Sequence, residues 1–443
     1  MGKLKSKPVV AIVGRPNVGK STLFNRIIQR REAIVDDEPG ITRDRKFADT
    51  SWEGCAFTLV DTGGYIPKTV NIIEKGVTRQ VEFAMQEADL ILFVTDRKSG
   101  ITDVDHEVAR LLRRSGQPVV LAVNKVDNEK MEPDAYDFVR LGLGDPALIS
   151  AIGGRSVGDL LHQIVKQLGP QPDGEDTEDE AVRLAVIGRP NAGKSTFVNT
   201  ILGEDRLLVT EIPGTTRDAV DVRFHYKDQD LILIDTAGLR RRSKVHESVE
   251  FYSNLRTHRV VERCDVACIF ADAGEGLAQQ DLRIIRDAVE GRKGVILVVN
   301  KWDLVKGDRE KVREWQDDLD LRMQGLEYVP VLFISSKTGY HIKSVLGVAL
   351  QVAGERKKRI GSPELNRLIE DLNKVHQPAA VRGKRVRLLY GTQVGTEPPR
   401  FVFFATYPEL LKENYRRFLE NRMRQKFGFD GVPLVFAFKK KKK

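Results

Sequence analysis

Two eight-residue stretches, GRPNVGKS at 14–21 and GRPNAGKS at 188–195, carry the glycine spacing, lysine and serine that a triphosphate calls for. Glycines let backbone approach a dense anion closely, successive N–H groups point inward, and a following helix presents its positive end. In that arrangement Lys20 and Lys194 bridge the terminal phosphates, and the Ser21 and Ser195 hydroxyls ligate magnesium. DTGG at 61–64 and DTAG at 235–238 each close an apolar run, where a strand's carboxyl end opens on a nucleotide crevice. Asp61 and Asp235 are therefore expected to hold the magnesium shell, with the Gly64 and Gly238 N–H groups sensing the γ-phosphate. Thr42 and Thr216, on the loops between, are placed to reach the same ion. Interactions that exist only with the triphosphate vanish on hydrolysis, which is the chemistry of a switch.

The base is read from NKVD at 124–127 and NKWD at 300–303. Guanine offers N1–H and an exocyclic amine side by side, and one carboxylate accepts both in a bidentate charge-assisted bond. Asp127 and Asp303 have that role. Adenine lacks the donor pair and would leave the carboxylate unpaired, which disfavours it strongly. Asn124 and Asn300 are expected to brace the loops, the stems of Lys125 and Lys301 to cover the base, and the backbone at Ala151 or Ser336 to donate to guanine O6. The first site thus takes in Gly14, Arg15, Pro16, Asn17, Val18, Gly19, Lys20 and Ser21; Asp61, Thr62, Gly63, Gly64 and Tyr65; Asn124, Lys125, Val126 and Asp127; and Ser150 and Ala151. The second takes in Gly188, Arg189, Pro190, Asn191, Ala192, Gly193, Lys194 and Ser195; Asp235, Thr236, Ala237, Gly238 and Leu239; Asn300, Lys301, Trp302 and Asp303; and Ser335 and Ser336.

The elements that must position these residues follow from the repeat. Gly14 recurs as Gly188, GITRD at 40–44 as GTTRD at 214–218, and Asp61 as Asp235, all at an offset of 174 residues. Asn124 recurs as Asn300 at 176 and Ile149 as Ile334 at 185, so insertions accumulate only in later loops. The chain holds two copies of one domain. Each copy alternates β-branched runs (VVAIV, FTLVD, LILFVTD, VVLAVNK; then RLAVIG, LILIDTAG, VACIFADA, GVILVVNK) with amphipathic stretches. That pattern specifies an α/β fold, a doubly wound and mostly parallel sheet flanked by helices. The boundaries expected are 1–168 for the first domain, 181–358 for the second and 359–443 for a further one. Between the first two lies GPQPDGEDTEDE at 169–180, whose Pro, Gly and six carboxylates describe an extended linker.

A chain of 443 residues is long enough for several cores. No apolar run approaches the ~18 residues of a membrane span, and the basic N-terminus runs into a phosphate loop and not into a cleavage site. Three cysteines, Cys55, Cys264 and Cys268, cannot make a disulfide framework, which fits a reducing, cytoplasmic location. Cys264 and Cys268 are spaced to share a helix face and read as buried free thiols. The net charge of +9 is unevenly placed: residues 359–443 hold 19 Lys+Arg against 8 Asp+Glu, net +11, and residues 1–358 are net −2. The basic excess points to a polyanion such as nucleic acid for the last segment; the bland reading is a charged surface with a tail of five lysines at 439–443. This segment reads as a helix with Leu365, Leu368, Ile369 and Leu372 on one face, strands VRLLYG and RFVFFA, a helix over 408–427 and a strand LVFAF, an α-β-β-α-β order.

Taken together, GRPN[VA]GKS, G[IT]TRD, DT[GA]G, NK[VW]D and GLRRRSKV at 238–245 resemble the double-Era-like GTPases of the translation-factor-related class, which are bacterial and organellar ribosome-assembly factors. The resemblance covers nearly the whole chain. It implies that GTP is the substrate, that the large ribosomal subunit and its rRNA are partners during maturation, and that residues 359–443 form a KH-like fold; we expect a monomer. Many switch GTPases place a water-orienting Gln after the glycines, yet here Tyr65 and Leu239 follow. Similar GTPases with a hydrophobic residue there use a loop Asn to hold potassium, and Asn17 and Asn191 occupy that position; the alternative is that each Asn only shapes the loop. A KH fold clamps RNA with GxxG between two helices. The one match, at 428–431, precedes a strand and reads as coincidental. RNA contact then falls to the basic stretches 382–387 and 416–426, or the module packs against the G domains. The rival reading of the whole is a nucleotide-gated RNA- or ribosome-binding scaffold with negligible turnover.

Overall fold

The computed structural model describes residues 7–32, 47–62, 81–82, 84–85, 88–169, 180–203, 209–213, 220–236, 250–375 and 385–440. The chain divides into two compact units, 2–176 and 177–443.

In the first unit, β1 (Val9–Val13) leads into the helix Lys20–Glu32, followed by β2 (Phe47–Trp52), β3 (Cys55–Asp61), β4 (Leu90–Asp96), β5 (Val119–Asn124) and β6 (Ala147–Leu148). The sheet order is β2-β3-β1-β4-β5-β6, with β2 antiparallel to β3 and the remaining pairs parallel. From β1 the chain runs first to one side and then to the other, so the switch point of the sheet lies at the carboxyl end of β1. The apolar strand runs are buried along their whole length in β1 and β4, as strands covered by helices on both faces must be.

The second unit repeats this plan. Its strands are β7 (Val182–Gly188), β8 (Val209–Pro213), β9 (Val220–Tyr226), β10 (Gln229–Ile234), β11 (Val266–Asp272), β12 (Gly294–Asn300) and β13 (Val331–Phe333), in the order β13-β12-β11-β7-β10-β9-β8. One core cluster lies on each face of this sheet, around Ile269 and Leu297 on one side and Phe197, Phe270 and Val345 on the other. Cys264 follows the helix Glu250–Arg263 while Cys268 sits in β11, so the two do not share a helix face as their spacing suggested. Both thiols are free and buried, and burial pushes them up to about 11 and about 12.

The last part of the same unit is α+β. The helix Ser362–Val375, β14 (Leu388–Gly395), β15 (Arg400–Ala405), the helix Glu413–Phe427 and β16 (Val435–Lys440) follow the expected order, with sheet order β14-β15-β16. The second helix starts five residues later than 408, because Pro408–Leu410 forms a separate short turn. This module packs on the domain built around the second sheet through the segment between its last helix and last strand. Gly431 N–H donates to Tyr328 O at 2.6 Å and Gly431 O accepts from Val295 N at 2.7 Å, at the start of β12. Phe429, fully buried, belongs to the module's own core, and Val432 belongs to the core between the second sheet and the helix Ile342–Lys357. Phe429 N–H donates to Glu355 Oε2 at 2.8 Å, Lys358 Nζ to Phe427 O at 2.6 Å, and the Arg424 guanidinium lies 3.7 Å from the Tyr328 ring centroid. The GxxG at 428–431 is therefore a docking segment. Among the described residues no helix is long and apolar enough to cross a membrane.

Candidate nucleotide sites

The two loops after β1 and β7 have the same internal geometry. Lys20 Nζ donates to Gly14 O and Arg15 O at 2.6 and 2.7 Å, and Lys194 Nζ donates to Gly188 O at 2.8 Å and to Arg189 O. Each ammonium is thus folded back across its own loop, at the N-terminus of a helix. Burial lowers Lys20 to about 8, against the pull of the Asp61 carboxylate. Ser21 Oγ donates to Asp61 Oδ2 at 2.5 Å, so the hydroxyl and carboxylate expected around magnesium converge. This pairing of hard oxygen donors beside a phosphate cradle suits magnesium. Asp61 ends β3; Asp235, its counterpart, follows β10 in a left-handed conformation, with its N–H on Asp221 Oδ1 at 3.0 Å. Thr62 Oγ1 donates to Ile12 O at 2.6 Å and ties β3 to β1.

The base-reading motifs are joined to the phosphate loops by the asparagines. Asn124 Nδ2 donates to Val18 O at 2.8 Å and its Oδ1 accepts from Ala151 N at 2.9 Å. Asn300 does the same with Ala192 O and Ser336 N, both at 2.9 Å. One buried amide therefore fixes three loops to one another in each unit. Gly19 and Gly193 allow it: both have positive φ, and a Cβ at either would collide with the asparagine amide. The Ala151 and Ser336 N–H groups expected at guanine O6 are donors to these braces, so a base oxygen would share them. Val126 N donates to Ile149 O at 3.0 Å and Trp302 N to Ile334 O at 2.9 Å, which sets the two base loops side by side. The two carboxylates differ. Asp127 Oδ1 accepts from Ser150 Oγ at 2.7 Å, whereas Asp303 Oδ1 is buried with no hydrogen-bond partner, as is Ser336 Oγ.

Two further carboxylates in each unit were not among the sequence candidates. Asp96 and Asp272 end β4 and β11, and sheet register sets them opposite Asn124 and Asn300. They hold the motif lysines: Lys125 Nζ to Asp96 Oδ2 at 2.5 Å and Lys301 Nζ to Asp272 Oδ2 at 2.6 Å. Asp105 and Asp281, both fully buried, anchor the loop arginines, Arg15 Nε at 3.1 Å and Arg189 Nε at 3.0 Å. Asp96 and Asp272, like Asp105 and Asp281, are 176 residues apart, the offset of the NKxD pair, and that register was the available signal. Asn17 and Asn191 are exposed and left-handed, with φ 65° and 64°. Thr42, Gly63, Gly64, Tyr65, Thr216, Ala237, Gly238 and Leu239 lie outside the described residues, as do 170–179 of the linker and all of 238–245.

Known proteins carry the same organisation. The family described as 50S ribosome-binding GTPase matches twice, at residues 9–125 and 183–301, and the KH-domain-like C-terminal family of EngA bacterial GTPases matches 359–439. GTPase Der of Chloroherpeton thalassium is 49% identical over 437 residues, covering 98% of this chain and all of that one. GTPase Der of Clostridium novyi is 47% identical over 436 residues, covering 98% and 99%. The chain belongs to the GTPase Der (EngA) family. Two GTPase domains precede a KH-like one, and the expected fold is the one observed. A solved structure of Era with MgGDPNP and a 16S ribosomal RNA fragment is 20% identical, covers 59% of this chain and 92% of that one, and has a TM-score of 0.31.

Proposed function

We propose that this Der-family GTPase hydrolyses GTP to GDP and phosphate at both sites, and that nucleotide state sets its affinity for the large ribosomal subunit during maturation. The observation that carries the guanine reading is the buried, partnerless Oδ1 of Asp303, which a guanine N1–H and amine would satisfy, beside a loop built to hold phosphates. The ribosomal reading is supported by the net charge of +11 on residues 359–443 and by the 50S ribosome-binding description of the matching family. The functional parts are then 1–168 and 181–358 as GTPase domains, 169–180 as linker and 359–443 as the KH-like module. Co-sedimentation with large subunits under GTP, GDP and no nucleotide tests this; equal pelleting in all three states rejects nucleotide control. Phosphate release no faster than in protein-free buffer would favour the scaffold reading.

Ser21 with Asp61, and Ser195 with Asp235, would hold magnesium, together with Thr42 and Thr216. Bound there, magnesium would supply positive charge beside the phosphates. Leu239 has no hydrogen-bonding side chain with which to orient water, and Tyr65 stands where many switch GTPases have Gln, so a second cation held by Asn17 or Asn191 would supply charge at that point. The left-handed backbone of these residues is itself a reason for asparagine. Asn191→Gly separates the two roles, because glycine keeps the loop conformation and lacks the amide oxygen. Turnover should be on the order of tenfold faster in potassium than in sodium at equal ionic strength, and Asn191→Gly should abolish the difference. A variant that keeps the stimulation leaves the residue only a loop-shaping role.

The exposed helix face carries a separate expectation. Arg424 is engaged with Tyr328 and with the Phe429 and Val432 carbonyls at 2.8 and 2.9 Å, so it is not available to a polyanion. Arg417 is 76% exposed along its side chain. Reversing Arg416, Arg417 and Arg422 should weaken large-subunit binding and lower its log-salt slope by about 0.7 to 0.9 for each phosphate that is no longer neutralised. An unchanged slope removes this face from the interface.

A further inference from the structure

The sheet of the KH-like module is asymmetric. On one face Leu388, Phe401, Phe403 and Ala405 are at most 1% exposed and pack with Leu365, Ile369 and Leu419 in the module's core. The other face is defined by register. Tyr390 on β14 pairs with Phe404 on β15, and Phe404 pairs with Lys439 on β16. The Tyr390 and Phe404 rings stack with centroids 4.4 Å apart and planes at 17°. Tyr390 is 36% exposed, and Leu389 and Val394 on the same strand are 39% and 56% exposed. Arg385, Arg387, Arg400, Lys439 and Lys440, all exposed, lie on or beside these strands.

Leaving a stacked aromatic pair and two aliphatic side chains at the surface forfeits the burial that normally pairs such groups. Lysine and arginine without acidic residues on the same cross-strand rows argue against a protein partner of ordinary mixed charge and for an anion. A partner that offers flat π-faces along an anionic backbone matches both features: bases stack on aromatic rings and phosphates meet the flanking cations. We propose that this face, centred on Tyr390 and Phe404 and edged by Lys439, is a platform on which bases of a single-stranded RNA stack. It lies apart from the GxxG segment, whose glycines are committed to docking, and it rests on the reading that ribosomal RNA is the partner.

The test uses the full chain and fluorescein-labelled 12-nucleotide oligo(U) and oligo(A), followed by anisotropy. Tyr390→Leu and Phe404→Leu keep apolar bulk and remove the π-face. Each should weaken binding about 5- to 100-fold while leaving the log-salt slope, binding to a duplex of equal length and GTP binding at the second site unchanged. Lys439→Glu should instead lower the slope by about 0.7. Leucine variants that bind the oligonucleotides as tightly as the parent overturn the platform; if they still pellet with large subunits, the ribosomal reading stands without it. Leucine variants with normal RNA binding and altered GTP turnover would make the face a protein contact and also overturn it. A parent chain that binds neither RNA nor subunits ends both.

Discussion

Asp303→Asn should lower GTP affinity at the second site by roughly two to four orders of magnitude and raise that for xanthosine triphosphate, with the first site unchanged. The loss corresponds to two charge-assisted hydrogen bonds at about 1.5 to 3 kcal/mol each. Asn presents one acceptor and one donor where guanine offers two donors, and xanthine, with a carbonyl in place of the amine, matches it. The second site is the sharper test because Asp303 Oδ1 has no protein partner, whereas Asp127 Oδ1 already accepts from the Ser150 hydroxyl. The same asymmetry fixes a control. A buried carboxylate oxygen without a donor is costly, so the nucleotide-free Asn variant should unfold at a temperature no lower than the parent. Competition binding with labelled GTP, with Lys20→Ala used to silence the first site, reads the outcome. An unchanged GTP to xanthosine triphosphate ratio at the second site would remove Asp303 from base recognition.

Gly431→Val should release the KH-like module from the second GTPase fold. At this position φ is +71°, and a Cβ would stand 2.6 Å from Val352 Cγ2, 3.0 Å from Val295 O and 3.1 Å from Pro330 Cδ. Left-handed strain on a β-branched residue costs about 1 to 2 kcal/mol and overpacking about 1 to 3 kcal/mol. The hydrogen bonds to Tyr328 and Val295 cannot survive once the backbones are pushed apart. These sum to roughly 3 to 8 kcal/mol against one docking segment. Arg424→Glu attacks the same junction from another side, where the guanidinium lies over Tyr328 and spans two carbonyls of the segment. Both variants should expose residues near 428–432 to limited proteolysis and lower the melting temperature of the second unit, leaving that of the first alone. Because the docking segment meets the start of β12, which ends in Asn300, second-site GTP affinity should fall as well. Parent-like cleavage and melting in both variants would show that the junction is not held by this segment.

What the sequence determined is what lies close along the chain or recurs at a fixed interval. A phosphate cradle is made by consecutive N–H groups and one lysine, so GRPNVGKS and GRPNAGKS declare it wherever they occur after a buried strand. The asparagine brace was legible for a related reason: repetition at a constant offset set NKVD and NKWD in register with those loops. Tertiary structure alone decided which side chains hold the motif residues. Arg15 with Asp105, and Lys125 with Asp96, are brought together by the order and register of β1, β4 and β5, across 90 and 29 residues of chain. Asp105 stands between Asp103 and Glu107 in the first turns of an amphipathic helix and has no local sign of being a buried anchor; only its recurrence as Asp281 marks it. The GxxG at 428–431 shows the same limit from the other side. Its composition names a loop, but whether two glycines receive RNA or another domain's backbone depends on what stands opposite. Here that is the start of a neighbouring strand, near enough that no side chain fits between.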